Sequence, residues 1–312
     1  MVRSFLLILL FAFFLCESRP AHAAGGTCLV ATGEDAVTLC TDVILEFFSN
    51  KPVRVLALRK RALAYLELKR FEKAKRDIDE VISSGLTSAE DWWVRGMTLA
   101  WLDQWELALK DQETANSLVK GRPDFLIELA SAQVSTGRFQ EGVNTYSSLI
   151  SMDATNPFYY ASRGQAYYYA TDYDRALVDY TTAVIHGGAE AEYWFKRGLV
   201  REAMGDETNA EKDYTQAVKR QPGNAEFRNT RGRILLYLGD YDSAEHDFDQ
   251  SIATNPLPDT FLSRASLHIF QNKLDLARKD IAAAGENPAF DSRIRLLRGR
   301  VLAAEGNFSG AV

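Results

Sequence analysis

Histidine is rare in this sequence, and what there is does not cluster. His186, His246 and His268 stand far apart with no metal-ligand spacing, so no metal site or cofactor is expected. A glycine-rich phosphate loop is missing, as is any serine–histidine–acid or cysteine–histidine grouping, and enzyme chemistry finds no foothold. Excess positive charge is missing too. A formal net charge of −6 disfavours nucleic acid and anionic membrane surfaces as partners. No apolar run reaches the roughly 18 residues of a comfortable membrane span. The longest, residues 5–15, lies near the N-terminus.

That run reads as a secretory signal. Arg3 supplies a positive n-region, and Ala21-His22-Ala23 gives the small-x-small pattern of a cleavage site, so residues 1–23 are assigned as a signal peptide. An uncleaved anchor is the rival, and a lipoprotein signal at Cys16 is disfavoured by the bulky Leu15 before it. Cleavage removes Cys16 and leaves Cys28 and Cys40. An even pair in an oxidising compartment suggests a disulfide, with two buried free thiols as the alternative.

What the sequence does have is a period. Small residues recur as Ala62, Gly96, Ala130, Gly164, Gly198, Gly232, Ala265 and Gly299, 34 residues apart except for one step of 33. A second series follows twelve residues later: Ala74, Ala108, Gly142, Ala176, Ala210, Ala244, Ala277 and Ala311. A third, seven further on, reads Val81, Ala115, Leu149, Ala183, Ala217, Ser251 and Ala284. Antiparallel helices packed at roughly 8–10 Å need small side chains where their axes approach. Turn signals such as Gly137-Arg138, Gly205-Asp206 and Gly239-Asp240 separate the first two series, where glycine can end a helix in a left-handed cap. Large residues follow the turn: Phe71, Trp105, Phe139, Tyr173, Tyr241, Leu274 and Phe308. Apolar positions then recur at helical spacing, as in Tyr173, Ala176, Leu177, Tyr180, Ala183 and Val184. Pro222, Pro256 and Pro288 sit between repeats.

A 34-residue helix–turn–helix unit with these positions resembles the tetratricopeptide repeat family, over residues 55–312, as seven complete repeats and a shortened eighth. The resemblance implies an all-α, right-handed superhelical solenoid, and an exported bacterial type with a periplasmic, otherwise secreted, location. It departs from the pattern at Arg228 and Arg295, where an aromatic is usual, and at Glu207 after a turn. Residues 24–54 read as a degenerate leading half-repeat, with residues 35–44 as its second helix. The family's concave groove maps onto Trp93, Met97, Trp101, Phe158, Gln165, Tyr168, Tyr169, Phe195, Leu199, Tyr237 and Phe270. Interhelical core is the rival assignment for each. The clamp of lysine, arginine and asparagine that some members use for C-terminal carboxylates is missing, since Trp93, Ile127, Glu128, Ser131 and Ala161 stand there. The resemblance therefore implies a non-enzymatic adaptor that binds a peptide or helix of another protein, with an assembly subunit that self-associates as the alternative.

One pattern belongs to this chain. The residue before the first small position is Arg61, Arg95, Arg163, Arg197, Arg231, Arg264 and Arg298. Sixteen residues after the first six stand Asp77, Asp111, Asp179, Asp213, Asp247 and Asp280. Repeat three lacks both members, having Leu129 and Thr145. Arginine's planar fork suits a partly buried carboxylate, so these read as structural ion pairs, with a charge ladder for a ligand as the rival. Gly142 inside a helix marks repeat three as a weak unit. Arg293, Arg295, Arg298 and Arg300 form a basic end, read as a solvated cap.

Overall fold

The computed structural model describes residues 23–286 and 288–307; the signal-peptide assignment, Phe308 and Ala311 lie outside the described residues. Among those described, the chain forms seventeen α-helices, one 3-10 turn at Pro288–Phe290 and no strand. The leading pair is α1 (Ala23–Val30) and α2 (Gly33–Glu46). Repeat one is α3 (Lys51–Glu67) with α4 (Phe71–Ser83), repeat two α5 (Ala89–Trp101) with α6 (Trp105–Leu118), and repeat three α7 (Pro123–Ser135) with α8 (Phe139–Met152). Repeat four is α9 (Pro157–Tyr169) with α10 (Tyr173–His186), and repeat five α11 (Ala191–Ala203) with α12 (Glu207–Arg220). Repeat six is α13 (Ala225–Leu238) with α14 (Tyr241–Thr254), and repeat seven α15 (Pro258–Phe270) with α16 (Leu274–Ala283). The first helix of an eighth follows as α17 (Asp291–Ala304). The chain divides into two compact bodies, Met1–Met152 and Asp153–Val312.

The leading pair is closed by a Cys28–Cys40 disulfide, both residues fully buried beside Val43, Ile44 and Val55. Repeat one starts at Lys51, four residues inside the segment read as the cap, because Asn50 accepts a bond from the Val53 amide and Pro52 occupies the first turn.

Every first helix of the seven repeats ends the same way. Lys69, Asp103, Gly137, Thr171, Gly205, Gly239 and Asn272 share one register position and all have φ between 57° and 86°. The next amide bonds back to the carbonyl five residues earlier, as Asp172 to Tyr167 at 2.9 Å and Asp206 to Arg201 at 2.9 Å. This is the left-handed helix stop. Only three of the seven are glycine, so four repeats hold an L side chain where it is strained. Asp172, Asp206 and Asp240 then cap the second helix through its first free amides.

Through repeat seven the three small series lie in the core. Ala62, Ala74, Ala130, Ala176, Ala183, Ala210, Ala217 and Ala265 are fully buried. In repeats one, two and four to seven the first-series residue faces the residue sixteen positions later. A Cβ on Gly198 would lie 2.6 Å from the Tyr214 ring, on Gly232 2.7 Å from Phe248, and on Gly164 3.1 Å from Tyr180. Where the first-series residue is Ala62 or Ala265, the facing side chain is the smaller Ile78 or Ile281. Small and large are traded across one interface. Repeat three differs: Ala130 shares its register with Tyr146, and the close approach lies at Gly142, whose Cβ would meet Val134 at 2.6 Å. Close approach to Val134 is thus a second reason for glycine at 142, beside its cost inside a helix.

Candidate functional site

The six arginine–aspartate pairs form within repeats, each as a two-bond fork. Arg Nε reaches Asp Oδ2 at 2.7 Å for Arg61–Asp77, 2.6 Å for Arg95–Asp111, 2.8 Å for Arg163–Asp179 and 2.9 Å for Arg197–Asp213. Arg231–Asp247 and Arg264–Asp280 follow at 2.6 and 3.0 Å. In four of the six the remaining nitrogen ties back to the preceding helix pair: Arg61 donates to Thr41, Arg95 to Asp79, Arg231 to Thr215 and Arg264 to Asp249. One guanidinium therefore lashes three helices. The bond to its aspartate outweighs burial and raises the pKa of Arg61, Arg95, Arg163, Arg231 and Arg264. The aspartates of all six pairs are buried and each is forked by its arginine. In repeat three a neutral bond stands in, Thr145 donating to Gln133 at 2.8 Å.

The residues expected along the groove divide by exposure. Tyr169, Tyr237 and Phe270 are exposed at 50%, 72% and 66%. Trp101, Phe158, Gln165, Tyr168 and Leu199 are half-buried; Trp101 stacks on Phe71 at 5.1 Å. Trp93, Met97 and Phe195 are buried, which corrects their assignment to an open surface. The cause is contact between first helices of successive repeats. Trp93 stacks on Phe125 at 5.7 Å and Phe195 on Phe227 at 4.6 Å, thirty-two residues on in both cases.

The same register in repeat one holds Arg59, whose fork bonds Asp91 at 2.7 and 2.6 Å. There the helices part enough to leave a cavity of about 270 Å³ within the first body. Leu56, Leu63, Ile78 and Val94 supply its apolar lining, and Arg59, Asp91, Glu90 and Arg122 the charge. Arg122 bridges Glu90 and Asp124. Burial opposes ionisation of Glu90, but hydrogen bonds from the backbone and Ser88, with Arg122 beside it, hold its carboxyl below the usual range. Glu128, one turn after Asp124 on α7, goes the other way: burial, then Asp124, pushes it up to about 7. Sequence reasoning missed Arg59 and the cavity because neither recurs with the period. The 32-residue offset to Asp91 was the only signal.

Among the described residues, no group of three or more His, Cys, Asp or Glu side chains could hold a metal ion. None of the described helices is long and apolar enough to cross a membrane.

Stacked helix–turn–helix repeats of this length define an α-solenoid. Tetratricopeptide repeat family profiles match residues 161–225 and 225–256. Two similar solved structures have the same fold. One is a tetratricopeptide repeat protein from Parabacteroides merdae, at 14% identity and TM-score 0.62, covering 80% of this chain and 98% of that one. The other is the C-terminal part of a TPR repeat-containing protein from Cytophaga hutchinsonii, at 19% identity and TM-score 0.54, covering 72% and 90%. No curated protein matches the sequence. Residues 161–256 are tetratricopeptide repeats, and the chain has the fold of tetratricopeptide repeat proteins.

Proposed function

We infer that this chain is a non-enzymatic scaffold that takes a peptide segment or helix of another protein along the faces of its first helices. The observation that carries the reading is the row Tyr169, Tyr237 and Phe270, exposed at one register position in three repeats of the second body. Large aromatics held facing water are the usual anchors of protein interfaces. In this register Phe71 packs against Trp101 and Tyr241 against Phe270, with ring centroids 5.1 and 5.0 Å apart, yet Phe270 stays 66% exposed; the residue at the corresponding place before Tyr237 is Glu207.

A photocrosslinking residue at Tyr237, and separately at Phe270, tests this in the native cell. One partner segment should be trapped at both sites. A synthetic peptide of that segment should bind the protein and lose binding to the Tyr237→Ala/Phe270→Ala variant. Adducts only between copies of this chain would replace the reading with the alternative, an assembly subunit. That alternative has its own support: Val178 and Ile185, seven residues apart on one face of α10, are exposed at 64% and 72%.

The location proposed is the bacterial envelope, supported by the Cys28–Cys40 disulfide together with the short apolar N-terminal run. Mature protein should begin at residue 24 and resist thiol alkylation until reduced. Free thiols in chain recovered from the cytosol would overturn the placement.

A further inference from the structure

The cavity between α3 and α5 has an apolar floor and a charged mouth. Ile78 and Val94 are buried at its base, whereas Leu56 is 45% exposed and Glu90 keeps 35% of its side chain in water. An apolar cavity of about 150 Å³ is enough to hold a benzene. At about 270 Å³ this one takes a single larger group, such as an indole or a phenyl with its methylene. It falls short of the roughly 300 Å³ at which pockets for whole drug-sized molecules begin.

The chain itself shows what suits this register. In repeats two and five the same first-helix position carries Trp93 and Phe195, stacked on Phe125 and Phe227 of the repeat after. In repeat one Arg59 and Asp91 stand in those places, and their fork leaves open the space that two rings fill elsewhere. A ring entering there also gains from the guanidinium of Arg59. Charge decides the other half of the ligand. Arg59 is forked by Asp91 and Arg122 by Asp124. Glu90 is the carboxylate left over, since it takes only one further bond from Arg122 and has no fork of its own. These five groups therefore carry one negative charge in excess, at the mouth. An anionic ligand would have to displace a carboxylate from an arginine, whereas a cation need displace nothing.

We propose that this cavity binds an aromatic side chain of a partner polypeptide that has lysine or arginine beside it in sequence. The ring enters between α3 and α5, and the neighbouring cation pairs with Glu90. That the ring is carried by a polypeptide rests on the scaffold reading above. The chemistry of the site does not, and it shares no residue with the row Tyr169, Tyr237 and Phe270.

The probes are acetylated, amidated peptides Gly-Ser-Trp-Arg-Ser-Gly, with glutamine or glutamate replacing the arginine in two controls. They are titrated into the full chain carrying isotope-labelled leucine, valine and isoleucine methyl groups, followed by NMR. The arginine peptide should shift the Leu63, Ile78 and Val94 resonances saturably. The glutamine peptide should bind about tenfold more weakly, and the glutamate peptide more weakly still. Glu90→Gln should erase the advantage of arginine over glutamine. The glutamine peptide should bind that variant as before, which shows that the cavity is intact. Leu56→Trp, at a position open to water, should close the mouth and abolish the shifts with the unfolding curve unchanged. Tyr237→Ala/Phe270→Ala should leave them as they are, so failure here and failure of the aromatic row are told apart. Equal binding of the arginine and glutamate peptides, an arginine advantage that survives Glu90→Gln, or no shift at millimolar peptide overturns the proposal. Tryptamine, a ring and cation without a chain, is the last arm. The same shifts from tryptamine with none from any peptide overturn the assignment to a polypeptide, because a free amine is then the occupant.

Discussion

Arg95→Ala should be among the most damaging single changes in the chain. Asp111, its partner, has 3% of its side chain exposed, and both oxygens are held by Arg95. Truncation strands a buried carboxylate and cuts the tie to Asp79 in the preceding helix. Removing one member of a buried pair costs about 3–5 kcal/mol, most of it the uncompensated charge. Arg197→Ala is the informative contrast. Asp213 is as buried, but Arg201 also donates to it at 2.8 Å, so a cation remains and the loss should be nearer 2 kcal/mol. Replacing both partners, Arg95→Met with Asp111→Leu, should return stability to within about 1 kcal/mol of the parent, since no charge is then buried alone. Urea unfolding followed by helical circular dichroism gives the differences, compared at constant slope. A loss below about 1 kcal/mol for Arg95→Ala, the size of an exposed pair, would refute the reasoning. So would a double variant no better than the single.

Three further outcomes can be checked by the same unfolding curves. Gly198→Ala should cost about 1–3 kcal/mol by driving a methyl into the Tyr214 ring, and adding Tyr214→Ile should recover part of it, reproducing the Ala62–Ile78 arrangement. Thr171→Gly should stabilise by about 1 kcal/mol, because a β-branched residue holds φ 60° there; no gain, or a loss, would mean the side chain is needed. Glu128→Gln should stabilise only at higher pH. The folded carboxyl titrates near 7 against an ordinary 4.5, so folding favours its protonated form. Its penalty is absent below about pH 4.5, grows as pH rises and is complete above 7, worth up to about 2 kcal/mol for a half-buried group. A gain equal at pH 4 and pH 8 would contradict that origin.

Contacts inside a repeat were legible because the sequence states them repeatedly. The Arg–Asp fork spans sixteen residues six times over, and its absence from Leu129 and Thr145 together made the coupling readable. The left-handed stop was readable where glycine occupied it and hidden where Lys69, Asp103, Thr171 or Asn272 did, since tertiary packing there overrides local preference. The aromatic positions were read only in part. Trp93 and Phe195 have the same sequence character as Tyr237 and Phe270, yet the first two are buried and the last two exposed.

The amino-acid sequence by itself determined the all-helical repeat, the pairing of its helices, the three buried series and the partners of six arginines. These depend on the distance between residues along one helix hairpin, which the 34-residue period fixes. The tertiary structure decided which first-helix aromatics meet water, where a cavity opens beside Arg59 and what third helix four of the arginines reach. Those depend on the angle at which one hairpin stacks on the next. That angle is set by side-chain volumes summed across two repeats, such as Trp93 on Phe125 against Arg59 on Asp91, and no single period encodes it.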